Sequence, residues 1–388
     1  MNPSPTREAP GLAWRLCRNR PESDPQHGTV AIPGIGEIHR RSRPVGSVLV
    51  TGGAGYIGSH VMAVLAGQGQ RCVCVDNFSN SSPEAVARVR SLAPGAIALH
   101  EADIRDVAAL RAILAKEDCT SVIHMAGLKA VGESVEFPER YHDNNVRGTL
   151  CLLDALRDSA VRRFVFSSSA TVYGIPERVP LDETAPTRPQ SPYGENKLEI
   201  EALLARLAAE DPGWRVINLR YFNPVGSHPS GTIGEDPSDI PNNLMPYVCQ
   251  TAAGRRERLA IFGADYPTAD GTCIRDYIHV MDLADGHVAA LRALDSAADG
   301  EVMTVNLGTG RGVSVLELVN AFERVNGIRV PRVFTDRRPG DVPVCFADAT
   351  RARRKLGWAA RRTLEDMCRD AWRWQSLNPG GYGRESSR

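Results

Sequence analysis

From Ser47 onward, short runs of β-branched and aliphatic residues alternate with longer stretches whose apolar positions recur at helical spacing. Val48, Leu49, Val50 and Thr51 form the first run and predict a buried strand. The pattern then predicts a strand over Arg71–Val75 ending at Asp76, a helix over Glu84–Ser91 and a strand over Ala96–Leu99. A helix over Val107–Lys116, a strand over Ser121–His124 and one long helix near Glu136–Asp158 follow. Strands over Arg163–Ser167 and Arg215–Leu219 flank a strongly amphipathic helix over Tyr193–Ala209. Strands separated by helices of this length imply a parallel sheet with helices on both faces. Ligands of such a sheet sit beyond the carboxyl ends of its strands.

After Tyr221 the texture changes. Residues 223–246 are dense in Gly, Pro, Asn and Asp, and shorter elements follow, with helices predicted over Val313–Val325 and Thr363–Gln375. The reading is α/β: a Rossmann-type doubly wound parallel sheet over residues 47–222 and a smaller C-terminal α/β substrate domain over 223–388. Some elements interleave, and the two parts share a cleft. Residues 1–46 are rich in Pro, Arg and Gly and lack both periodicity and the apolar stretch of a signal peptide. They read as a disordered extension or as a start codon placed too early.

Charge and cysteine usage narrow the classes. The chain of 388 residues carries 46 basic and 46 acidic side chains, a balance that argues against a protein built mainly to bind nucleic acid. No apolar run approaches the ~20 residues that span a bilayer. The nine cysteines are scattered without metal-ligand spacing, which predicts reduced thiols, a cytoplasmic setting and no metal. Lysine occurs only at Lys116, Lys129, Lys197 and Lys355, against 42 arginines. Where lysine appears, its compact ammonium and movable pKa are the properties that guanidinium cannot supply.

Three stretches carry candidate chemistry. Gly52, Gly55 and Gly58 sit three apart where the first strand turns into a helix. There, backbone N–H groups and a helix N-terminus can meet a pyrophosphate, although glycine-rich turns also serve as plain tight loops. Asp76 ends the second strand and can accept hydrogen bonds from ribose hydroxyls while repelling a 2′-phosphate, so the cofactor expected is NAD. Alone, it could be an ordinary acid at a strand end. Tyr193 and Lys197 stand at i and i+4 at the start of a helix, on one face. An ammonium beside a phenol favours the phenolate, so Lys197 is expected to lower the Tyr193 pKa and fit it to act as a general base. Ser167, Ser168 and Ser169 close the fifth strand and could bond the same substrate oxygen.

Longer stretches carry a family resemblance. Thr51–His60, Ile123–Ser134, Phe166–Gly174, Gln190–Gly194, Arg220–Gly226, Ile240–Pro246 and Arg275–His287 resemble the UDP-hexose 4-epimerase branch of the extended short-chain dehydrogenase/reductases. The resemblance runs from about Ser47 to about Tyr382. It implies reversible C4 epimerisation of UDP-galactose and UDP-glucose through transient oxidation to a 4-keto sugar on tightly bound NAD. Tyr193 would be base and then acid, Lys197 would hold the nicotinamide ribose, and Ser169, in preference to Thr171, would bond the 4-oxygen. NAD would lie against Gly52, Gly55, Tyr56, Ile57, Gly58, Asp76 and Asn77. Asp103, Ile104, Met125, Ala126, Gly127, Lys129, Asn144, Ser167 and Phe222 would complete its site.

For the UDP-sugar, the resemblance implies Lys129, Asn223, Asn243, Leu244, Phe262, Arg275, Arg338, Asp341 and Cys345. Arg275 and Arg338 suit a diphosphate, since a planar fork bonds it bidentately. Cys345 occupies a place where some family members carry tyrosine, near the C2 substituent of the sugar. A small side chain there leaves room for an N-acetyl group and implies use of UDP-GalNAc and UDP-GlcNAc; a buried thiol without that role is the plainer alternative. The resemblance also implies a homodimer through helices near 136–158 and 194–210. A UDP-hexuronate or UDP-pentose 4-epimerase stays open as an alternative. A 4,6-dehydratase needs an added acid after the fifth strand, where this chain has Ser169-Ala170-Thr171-Val172. A non-catalytic NAD-sensing protein would tolerate loss of Tyr193 or Lys197, and both are present.

Overall fold

The computed structural model describes residues 46–93, 97–237, 241, 243–338 and 340–383. The N-terminal extension, save Gly46, lies outside the described residues, as do Ala96, residues 238–240 and Asn242 from the stretches above.

The chain enters through β1 (Ser47–Thr51), α1 (Tyr56–Gly67), β2 (Cys72–Asp76), α2 (Pro83–Leu92), β3 (Ile97–Glu101), α3 (Val107–Lys116) and β4 (Cys119–His124). Then come α4 (Val131–Glu136), α5 (Pro138–His142), a π-helical turn at Asp143–Arg147, α6 (Gly148–Leu156), β5 (Arg163–Ser169), α7 (Pro192–Glu210) and β6 (Arg215–Tyr221). Short elements follow: β7 (Asn223–Val225), α8 (Leu244–Ala252), β8 (Leu259–Phe262), β9 (Ile274–Arg275) and β10 (Tyr277–His279). The rest is α9 (Val280–Ala293), β11 (Val302–Leu307), β12 (Val313–Ser314), α10 (Val315–Asn326), β13 (Arg332–Thr335), β14 (Val344–Cys345), α11 (Thr350–Leu356) and α12 (Leu364–Leu377).

Seven strands form one parallel sheet in the order β11-β6-β5-β4-β1-β2-β3. The order reverses at β1, beside β4, which places a crevice over the carboxyl ends of those two strands. Side chains alternate across the pleat. Val48, Val50, Cys72 and Cys74 pack with α1, α2 and α9, whereas Leu49, Val73 and Val75 pack with α3, α6 and α7. Burying each such valine or leucine fully contributes roughly 1.5–3 kcal/mol. A third core joins α8, α10 and α12 around Val248, Phe322 and Cys368.

Two expectations change. The single helix near Glu136–Asp158 starts at Pro138, which has no N–H to continue α4 beyond Phe137 (φ −127°, ψ 60°), and runs in unbroken helical backbone through α5, a π turn and α6 to Leu156 rather than as one regular α-helix. Further on, a π turn over Asp143–Arg147 inserts one extra residue before α6. The strand–helix alternation also continues beyond Tyr221, where the sequence texture changes. β11 pairs in parallel with β6, and α9 packs on the face shared with α1. No described helix is long and apolar enough to cross a membrane.

Candidate active site

A cleft of about 390 Å³ opens over the carboxyl ends of β1, β2 and β4. Its floor is the glycine turn. Gly52 adopts φ +69°, and a Cβ there would stand 2.7 Å from the backbone nitrogen of Ala126. α1 starts behind Gly55 with no side-chain cap and no acidic residue in its first turn. Its first N–H groups and positive dipole end therefore face the cleft, a fit for a pyrophosphate.

Asp76 stands at the end of β2 and is buried. Its carboxylate accepts from the Ala54 N–H (3.0 Å), the Phe78 N–H (3.0 Å) and the Ser81 hydroxyl (2.7 Å), so the glycine turn is tied to the acid expected to meet the ribose. Asn77 lines the cleft, and its amide donates to Asp103 at 2.8 Å. Asp103 is also clasped by Arg105, whose hydrogen bonds hold its carboxyl below the usual carboxylate range despite partial burial.

The loop after β4 forms the next wall, through Met125, Ala126, Gly127 and Lys129. It is pinned by Asn145, whose carboxamide accepts from the Leu128 N–H (2.8 Å) and donates to the Leu128 carbonyl (3.0 Å). Asn145 and its cleft-lining neighbour Asn144 both belong to the π turn, and Asn144 donates to Asn145 at 2.9 Å. The widened turn thus has a local use, as π turns in helices often do.

Tyr193 and Lys197 close the cleft at the start of α7. Ser191 caps that helix by accepting from Gly194 N–H, and Pro192 takes the first helical position, where a missing N–H costs nothing. Both side chains are buried. The Lys197 ammonium donates to the Ser167 carbonyl at 2.8 Å and lies 4.8 Å from the centre of the Phe166 ring and 5.7 Å from that of Tyr193. Burial lowers its pKa to about 8, opposed by the charge of Glu201. The expected lowering of the Tyr193 pKa does not hold here: burial pushes the phenol up to about 12, and only Ser169 opposes it. Lys197 is turned to Ser167 and Phe166, and desolvation of the phenolate prevails.

The structure brings together most of the residues expected to hold a cofactor. Gly52, Gly55, Tyr56, Ile57, Gly58, Asp76, Asn77, Ile104, Met125, Ala126, Gly127, Lys129, Asn144, Tyr193 and Lys197 all line the cleft. Asp103, Ser167 and Phe222 do not, and neither does Ser169, expected to meet the substrate. The Ser167 hydroxyl is bonded to His287 on α9 at 2.9 Å, and Phe222 is buried among Val172, Tyr173, Leu181 and Ala347. Ser169 ends β5, buried, and its oxygen accepts from the Thr171 N–H (3.2 Å) and hydroxyl (3.0 Å).

Apart from Lys129, Ser169 and Tyr193, the residues expected to meet a UDP-sugar form a separate group. Arg275 and Arg338 share the Asp341 carboxylate, at 3.4 and 2.9 Å, and Arg338 lies 4.9 Å over the Phe262 ring. Cys345, half-buried in β14, pairs in register with Arg275 on β9, and burial raises its thiol to about 11. Asn223 begins β7 and Leu244 begins α8. Asn243 links the two groups by donating to Glu235 (2.7 Å), which also faces Lys129 at 3.3 Å.

Several cleft residues escape sequence reasoning: Ser79–Ser82, Glu133, Tyr141, Tyr221, Gly234–Pro237 and Tyr382. The polar run after Asp76 was a local signal. Tyr382 carried none, since it reaches the site by bonding Gly234 from 148 positions away.

Comparison with known proteins gives a consistent picture. The model of the NAD dependent epimerase/dehydratase family matches residues 48–308. A UDP-glucose 4-epimerase of Bacillus subtilis is 54% identical over 336 residues, covering 87% of this chain and 98% of its own length. A Stenotrophomonas maltophila UDP-glucose 4-epimerase crystallised with NAD and formylated UDP-arabinopyranose superposes with a TM-score of 0.83 at 50% identity, over 86% of this chain and 99% of that one. A Bifidobacterium longum UDP-glucose 4-epimerase in complex with NAD+ and UDP gives a TM-score of 0.82 at 46% identity, with the same coverage.

Proposed function

The chain belongs to the NAD-dependent epimerase/dehydratase family, and from that premise we infer that it interconverts UDP-galactose and UDP-glucose by inverting C4 of the hexose. The observation that carries this reading is the buried Tyr193/Lys197 pair at the end of a cleft whose glycine turn, uncapped helix and Asp76 fit a dinucleotide. NAD, when bound, supplies the acceptor and donor of the C4 hydride, so the sugar passes through a 4-keto state without net oxidation.

The side chains handle the proton and the pose. Tyr193 takes the 4-hydroxyl proton and later returns it. Burial favours the neutral phenol, the form that donates, and Ser169 opposes that shift; we assign Lys197, whose ammonium lies 5.7 Å from the centre of the Tyr193 ring, as the cation that favours the phenolate once the 4-hydroxyl proton is taken. Ser169 bonds the 4-oxygen. Arg275 and Arg338 hold the diphosphate, with Asp341 fixing both guanidinium groups. Asn223, Asn243, Leu244 and Phe262 border the nucleotide and sugar.

The reading extends to N-acetylated sugars. Cys345 is a small side chain packed against the cluster of Phe222 and Val172, and leaves room beside the sugar where a tyrosine would fill it. The assembly we assign is a homodimer through the helices near 136–158 and 194–210, where Phe137 and Leu150 stand 46% exposed. We place the enzyme in the cytoplasm, a compartment that suits the free thiols of its eight described cysteines.

The test is to mix the purified protein with UDP-galactose and no added cofactor. UDP-glucose should accumulate, and Tyr193→Phe should cut turnover by roughly 10²–10⁴-fold while retaining NAD. No product from the wild type carrying NAD would overturn the reading.

A further inference from the structure

Behind the Tyr193/Lys197 pair lies a buried charged network that the reaction described above does not use. Glu201 sits one helical turn beyond Lys197 and two beyond Tyr193, on the same face of α7. Its side chain is 7% exposed, and so is nearly out of reach of water. A carboxylate placed there is costly unless its oxygens are bonded. They are: Arg220 on β6 donates from Nε to Oε1 at 2.9 Å and from Nη2 to Oε2 at 2.5 Å, and the Ser168 hydroxyl donates to Oε1 at 2.5 Å.

The alternation of β5 explains the division of labour among the three serines. Ser168 points to α7 and anchors Glu201, whereas the Ser167 hydroxyl points to α9 and His287. The Ser167 carbonyl, on the same strand, receives the Lys197 ammonium at 2.8 Å. One strand segment thus fixes both the lysine and the acid one turn beyond it. Arg220 is held in turn over the Tyr173 ring at 4.9 Å, and the Tyr173 hydroxyl donates to Asn306 at 2.7 Å.

Resting on the epimerase reading, we propose that Glu201 is a positioning residue: its carboxylate, fixed by Arg220 and Ser168, seats the Lys197 ammonium beneath Tyr193 and offsets the cost of burying that charge. Lys197 loses hydration on entering the core, and a negative neighbour on its own helix face opposes the loss of its proton. Glu183, whose charge acts on Tyr173, is turned to Arg351 and the Asn306 N–H, and the other described groups that face the pair supply no anion. They are Tyr193 on α7, His124 on β4, Arg220 and Tyr221 on β6, and Tyr173 after β5. On α4 and α5, Glu133 is bonded to Tyr141 and Arg140, and His142 faces Glu199. Arg163 and Arg215 end at Asp295 and Asp299, at the opposite end of the sheet.

The experiment compares the holoenzyme with Glu201→Gln and Glu201→Asp. Turnover of UDP-galactose is followed across the alkaline range, and KM, bound NAD and thermal stability are recorded. Glu201→Gln should move the alkaline limb of kcat to lower pH by about one unit and lower kcat, with KM changed little. Glu201→Asp should restore the limb. A limb that stays in place in a folded, active Glu201→Gln shows mere structural support and overturns the proposal. A second readout follows the lysine itself: with four lysines in the chain, selective lysine labelling allows the Lys197 ammonium to be titrated by NMR. Its midpoint should fall by about one unit in Glu201→Gln and return in Glu201→Asp, and a midpoint that does not move overturns the proposal. A wild type without epimerase turnover would sink the functional reading instead, and the lysine titration would still decide this one.

Discussion

Gly58 stands so close to Gly52 that a Cβ on Gly58 would lie 2.3 Å from the Gly52 carbonyl oxygen and 2.8 Å from the Gly53 Cα. The three-residue spacing of the glycines is therefore a packing requirement of the strand-to-helix turn. Gly58→Ala should destabilise the fold by about 1–3 kcal/mol, because rigid backbone must shift, and lower the NAD content of the purified protein. Gly67, at the other end of α1, has nothing within 4 Å of its virtual Cβ. Gly67→Ala should be neutral or stabilise by up to about 1 kcal/mol. Chemical denaturation of both variants checks the contrast; equal effects would contradict it.

Acid should unfold this protein earlier than its carboxylates alone would cause. His60, His124 and His287 are fully buried, and desolvation lowers their pKa values to about 3, 3 and 4. His124 is locked as a neutral ring between the Thr51 (2.7 Å) and Thr149 (2.9 Å) hydroxyls. With folded values below the unfolded one of about 6.5, the unfolded chain binds more protons as pH falls below 6.5, so stability is lost in that direction. At about pH 5.5 each histidine should cost roughly 1.4 kcal/mol, and the three together about 4 kcal/mol. Denaturant unfolding near neutrality and at that pH measures the loss. His124→Gln should remove about a third of the pH dependence, and a flat profile in the wild type would refute the account.

Cys345 provides a test of substrate range. Wild type should turn over UDP-GalNAc as well as UDP-galactose, and Cys345→Tyr should lose the N-acetylated substrate by at least about tenfold while retaining the plain one, since a bulky ring in a rigid pocket excludes rather than adapts. Parallel kcat/KM measurements decide it. Equal N-acetyl turnover in both forms removes Cys345 as the determinant.

The sequence patterning made the sheet legible wherever strands are fully buried. β1, β2, β4, β5 and β6 announce themselves as apolar runs, and Gly52, Asp76, Tyr193 and Lys197 mark the cleft because each carries a local rule of its own. β11 was hidden, since Val302–Leu307 follows a loop-rich stretch and joins the sheet only through pairing with β6. The start of the long helix at Pro138 follows the rule that proline suits the first helical position, but the π turn holding Asn145 depends on tertiary contact with Leu128. Glu201 had a usable signal, a charge on the Tyr193/Lys197 face of α7. Only the folded contact with Arg220 distinguishes it from a solvated helix charge.

The central claim is that the C4 hydrogen leaves and returns as hydride within one active site. UDP-galactose bearing deuterium at C4 tests it most directly. Incubated with the purified enzyme in ordinary water, it should give UDP-glucose that keeps the deuterium at C4. Loss of that label to solvent would show inversion by proton exchange and contradict the account.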